Sequence, residues 1–165
     1  MIQQVKFRLA VEFVHQLADL YDITYKQRAG KATPRNMAVS DFVSNAITGV
    51  YPDFEIDYSK VMISSGSLAT VSATTKIAAG KIIWNWEPNT GINGAEANDQ
   101  SIIVAYCPER KQAIYKINAS TRCDGEAILD VQKVVGFKVV TYLGFTSLNQ
   151  RRVSNSEFTG ALELN

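Results

Sequence analysis

Hydrophobic and polar positions keep one rhythm over the first fifty residues and another over the rest. From Ile2 to about Tyr25, apolar residues Val5, Leu9, Phe13, Leu17 and Leu20 recur every three or four positions, while Arg8, Glu12, His15, Asp19 and Asp22 form the opposite stripe. That period predicts one amphipathic helix. At about 100° per residue, Phe7, Ala10, Val11, Val14, Ala18 and Tyr21 widen the apolar sector to roughly 200°, more than a single packing contact requires. One flank of this helix is expected to meet its own domain. The other, carrying Phe7, Val11, Val14 and Tyr21, is expected to contact a second helix or a neighbouring subunit.

In "QRAGKATPRN", Gly30 supplies a turn, Thr33 suits an N-cap and Pro34 the first helical position. A second helix follows with Ala38, Val39, Phe42, Val43, Ala46 and Ile47 on one face, and Gly49 is expected as its left-handed C-cap. After "YPDFEID", short apolar runs alternate with turn residues, a pattern of strands. Expected strands are 60–64, 71–77, 81–87, 101–107, 112–117, 126–131, 138–147 and 152–162, seven or eight in all. "CPERKQ" and "SLNQRR" read as hairpin connections, and 88–100 as a long loop rich in Gly and Asn. The fold class expected is α+β: an αα-hairpin over 1–50, a linker over 51–59, and an antiparallel β-sandwich over 60–165.

Residues two apart on a strand share a face, so Ile82, Trp84 and Trp86 of "GKIIWNWEPNTG" point the same way. Buried between layers, the two indoles would contribute about 8 to 12 kcal/mol of gross burial, comparable to the net stability of a whole domain. A sandwich interior is therefore the expected place for them. The alternative is a carbohydrate-binding module, which needs an exposed aromatic shelf drawn from Trp84, Trp86, Tyr106 or Tyr115.

"GKIIWNWEPN", then "IIVAY", then "VVTYLGFTS" with "RRVSNSEF" returning resembles the strand B, C, F and G order of a fibronectin type III or related immunoglobulin-like sandwich, with Trp86 in the place of the strand B tryptophan. Over nearly the whole chain, "NAITGVYPDFEIDYSKVMISSGSL", "AYCPERKQAIY", "TRCDGEAIL" and "VSNSEFTGAL" resemble an uncharacterised family of Bacteroidota proteins. The resemblance implies an architecture and no activity. Members of that family begin with a Gly-rich segment that is missing here, so a trimmed or reannotated start is expected. They also carry other residues where Cys107 and Cys123 stand, which leaves no shared catalytic or metal role for those two.

Composition adds little chemistry. The 165 residues carry a net charge of +1, which implies no general attraction to nucleic acid, and charges interrupt every apolar run near the N-terminus, so no membrane span is expected there. Arg110-Lys111 and Arg151-Arg152 read as solvated turns. His15 is the sole histidine, on a polar helix stripe, and with two cysteines far apart it assembles no zinc site of ordinary spacing. Cys107 and Cys123 are expected at opposite ends of the sandwich, about 20 Å apart and beyond disulfide reach. Asp53, Glu55 and Asp57 alternate and could hold a cation or act as acid and base, but read more simply as linker charge. Asp124-Gly125-Glu126 is a turn, and Gly91 and Gly94 precede no helix, so neither makes a calcium or phosphate loop.

What remains is a non-catalytic structural or interaction module with no cofactor and no metal. Its expected ligand or partner loop carries Asn89, Asn93, Asn98 and Asp99, and its partner is expected to be a protein or a second copy joined through the first helix.

Overall fold

A computed structural model describes residues 1–165. The chain is α+β, with its helices at the N-terminus and nine strands in three antiparallel sheets. In place of one long helix, the chain makes α1 (Ile2–Gln16), α2 (Ala18–Thr24) and α3 (Lys26–Ala29). The breaks fall at Leu17 and Tyr25, both fully buried, so each corner is held by a side chain sunk in the core. α4 (Pro34–Asn45) starts as its residues dictate: the Thr33 hydroxyl accepts from the Asn36 N–H at 3.2 Å and Pro34 opens the first turn.

Gly49 is not the C-cap of α4. The helix ends at Asn45, and the chain enters a hairpin of β1 (Ile47–Val50) and β2 (Asp53–Ile56), where a linker was expected. Gly49 has φ +93°, and a Cβ there would lie 2.5 Å from the Asp53 carbonyl oxygen, so both the backbone conformation and the close approach call for glycine. Asp57 then caps a short 3-10 turn, its carboxylate accepting from the Ser59 N–H at 3.1 Å. Residues 60–64 form no strand. Val61 and Ile63 are buried at alternate positions as a strand would bury them, but the backbone here bonds to Thr24 and Ser156 instead of a ladder.

The remaining strands build two facing sheets. β3 (Ala73–Ala78), β4 (Lys81–Trp86) and β7 (Glu126–Asp130) form one in the order β3-β4-β7. β5 (Gln100–Cys107), β6 (Gln112–Thr121), β8 (Lys138–Thr146) and β9 (Glu157–Glu163) form the other in the order β6-β5-β8-β9. Ile82, Trp84, Trp86, Ala127 and Leu129 of the first sheet pack against Ile103, Ala105, Cys107, Leu143 and Phe145 of the second.

A second core lies on the other side of the four-stranded sheet. There Ile102, Val104, Tyr106, Val140 and Tyr142 meet Phe13, Val14, Leu17, Leu20, Tyr21 and Phe42 from the helices. β5 is consequently buried on both faces, which is why it reads as the unbroken apolar run "IIVAYC" and not as an alternation. The molecule has three layers: helices, a four-stranded sheet and a three-stranded sheet.

Candidate functional site

The aromatic shelf that a carbohydrate-binding surface would need from these residues is not formed. Trp84 is fully buried, Trp86 is 7% exposed and Tyr106 3%, and only Tyr115 stays half-exposed. Both indole N–H groups are satisfied internally. That of Trp84 donates to the Thr159 hydroxyl at 3.0 Å, and that of Trp86 to the Arg122 carbonyl at 2.9 Å. Trp86 also meets the Phe145 ring edge-on at 5.4 Å.

The helix residues expected at a partner contact divide into two pairs. Val14 and Tyr21 lie inside the protomer's own core, with the Tyr21 hydroxyl donating to the Met62 carbonyl at 2.7 Å, and so cannot meet a partner. Phe7 and Val11 remain on the surface, 58% and 39% exposed.

The loop residues divide as well. Asp99 is buried, and its carboxylate accepts from Arg122 Nε at 2.9 Å and from the Glu96 N–H at 2.9 Å. Asn89 offers its side-chain oxygen to Arg122 Nη1 at 2.7 Å and donates its amide to the Thr70 carbonyl at 3.0 Å. Both belong to the framework and not to a free ligand surface. Asn93 and Asn98 stay exposed.

Arg122 is the residue that sequence reasoning missed. It sits in the turn after β6 with no exposed surface, donates through Nη2 to the Ala69 carbonyl at 2.8 Å, and lays its guanidinium 4.2 Å from the centre of the Phe145 ring. Burial pulls its pKa down, and the hydrogen bond and charge of Asp99 push it back up. One cation thus ties together the segment before β3, the 87–99 loop and the end of β6. In "TRCDG" the only hint is an arginine directly after a strand whose apolar positions alternate.

Above this anchor the 87–99 loop, the 147–156 loop and α3 enclose an open cleft of about 760 Å³, lined by residues including Gln27, Glu96, Asn98, Asn149 and Arg151. The 147–156 loop is tied shut by its first residues: Ser147 N–H donates to the Arg152 carbonyl at 2.8 Å and Arg152 N–H to the Ser147 hydroxyl at 3.0 Å. Arg152 Nη2 reaches across to the Asn93 carbonyl at 3.0 Å, joining the two loops. No group of three or more His, Cys, Asp or Glu side chains is placed to hold a metal ion. Cys107 is buried, Cys123 is exposed and both are free thiols. No helix is long and apolar enough to cross a membrane.

Fold and site together define an α+β protein whose antiparallel sheets are layered under N-terminal helices, with a polar cleft at the loop end. The chain belongs to a family of unknown function (DUF6266), whose model matches residues 1–160. No curated protein matches it. Five chains of solved structures do, one of them described as "Myokine structure", at 13% identity and a TM-score of 0.40 over 61% of this chain and 98% of that one.

Proposed function

We propose that this chain is a non-catalytic protein-interaction module: a fibronectin type III-like sandwich that covers one sheet face with its own helices and offers its loop end to a protein partner. The order β3-β4-β7 against β6-β5-β8-β9, with the β4 tryptophans inside, supports the sandwich assignment. The observation that carries the functional reading is the Arg122 anchor beneath the cleft. A loop stapled to the framework at Asn89 and Asp99 loses little conformational entropy when a partner binds, which is how rigid recognition surfaces gain affinity.

The reading is tested by placing a photoreactive benzophenone amino acid at Asn98 or Asn149, on the cleft rim, and at Lys133, at the opposite end of the sandwich. In the native cell, the two rim positions are expected to crosslink to the same protein and Lys133 not to. Equal labelling at all three positions, or none at the rim, would count against a loop-end partner site.

A second surface, for self-association, is favoured by the exposure of Phe7 and Val11 on α1. Both sit on the flank of the helix turned away from Phe13 and Leu17, so a second copy could cover them without disturbing the core.

A further inference from the structure

The cleft continues into a second hollow of about 580 Å³ beside α2 and α3, and the two share Gln27, Asn149 and Arg151 along their common wall. Charge along this groove is unbalanced. Lys26, Arg151 and Arg152 have no carboxylate within ion-pair distance. Of the carboxylates in the groove, Asp99 is taken by Arg122 and Asp22 by Arg35, leaving Glu96 alone uncommitted. Arg152 is held in place by the Asn93 carbonyl, whereas Arg151 and Lys26 are exposed.

We propose that this groove binds an extended acidic peptide, with a carboxylate taken by the Arg151 guanidinium and main-chain amides by Gln27, Asn98 and Asn149. The inference rests on the interaction-module reading and names the partner's chemistry. A planar guanidinium pairs with a carboxylate through two parallel hydrogen bonds, and such charge-assisted bonds are about twice as strong as neutral ones. The Gln27 and Asn98 amides donate and accept, as a peptide main chain does, while Asn149, whose side-chain oxygen already accepts from the Ser147 hydroxyl at 2.8 Å and the Arg151 N–H at 3.0 Å, offers its NH2 to a main-chain carbonyl. Nucleic acid fits less well, because its continuous run of phosphates cannot avoid the uncommitted Glu96, whereas a peptide can set a neutral residue opposite it. A sugar ring would find no aromatic face there.

The test is fluorescence polarisation on the full chain with a pool of fluorescein-labelled octapeptides, each with three aspartates at alternate positions and randomised neighbours. Comparison probes are the same pool with asparagine for aspartate and a single strand of twelve thymidines. Saturable binding of the acidic pool is expected. The asparagine pool should bind about tenfold or more weakly, the scale of one charge-assisted hydrogen bond. Arg151→Glu should cost the acidic pool a similar factor with the melting temperature unchanged. Equal binding of the two pools, no saturable binding, or tighter binding of the thymidine strand would overturn the proposal. If rim crosslinks identify a partner while the acidic pool fails to bind, the interaction-module reading stands and the acidic-peptide inference falls.

Discussion

A buried arginine is an uncommon way to hold a loop, and Arg122 makes its replacement informative. Removing it would strand the Asp99 carboxylate inside the protein, and breaking a buried ion pair from one side costs about 3–5 kcal/mol. Arg122→Ala is expected to lower unfolding stability by that amount in urea titration, and Arg122→Ala combined with Asp99→Asn to cost less than the sum of the two single changes. A loss under about 1 kcal/mol would show that the pair does not anchor the loop. The tyrosines give a pH signature. Burial pushes Tyr58 up to about 12 from the ordinary 10.0, and it pushes Tyr21, Tyr25, Tyr106 and Tyr142 up as well. The unfolded chain ionises these phenols first, so their contribution to stability is complete below pH 10 and is lost as pH rises from there through the folded values. A thermal melting series at rising pH should show the midpoint falling above pH 10, with the phenolate absorbance of these five tyrosines, as distinct from the exposed Tyr51 and half-exposed Tyr115, appearing only as the fold is lost. Phenolate absorbance in the still-folded protein beyond what two tyrosines account for would place those hydroxyls in contact with water. At this scale the sequence was readable where one side chain decides its own fate: the tryptophans went inside, and Thr33 capped its helix. It was not readable for Arg122 and Asp99, whose pairing spans 23 positions and depends on two loops closing first.

Among the elements, periodicity identified seven of the eight expected strands because each buries one or both faces against a layer. It failed where burial and backbone pairing part company. Residues 60–64 bury Val61 and Ile63 like a strand, but their hydrogen bonds go to a helix threonine and a loop serine. The β1–β2 hairpin was missed for the opposite reason: its burial is shallow, and although "DFEI" alternates polar with apolar, its partner "ITGV" does not. The wide apolar sector of the first helix had two causes, since most of it is core packing along a bent path and only Phe7 and Val11 are left over. Those two carry the element-scale prediction. In light scattering after size exclusion, the chain is expected to show a concentration-dependent dimer, and Phe7→Glu to shift it to monomer with its helical circular dichroism unchanged. A strict monomer at high concentration would leave α1 without a partner.

For the molecule as a whole, the helices are a structural layer of the sandwich. β5 packs on both sides, so the sheet contributes to two cores at once, and the helical layer also supplies Gln27 and Lys26 to the wall of the proposed groove. A helical layer that came away would uncover the outer face of β5 and β8 and dismantle half the groove. The most direct test is thermal unfolding followed at once by far-ultraviolet circular dichroism for the helices, tryptophan fluorescence for the sandwich interior, and calorimetry. A single transition is expected, with coincident midpoints and a calorimetric enthalpy equal to the van't Hoff value. Loss of the helical signal at a lower temperature, while Trp84 and Trp86 keep their buried emission, would contradict it.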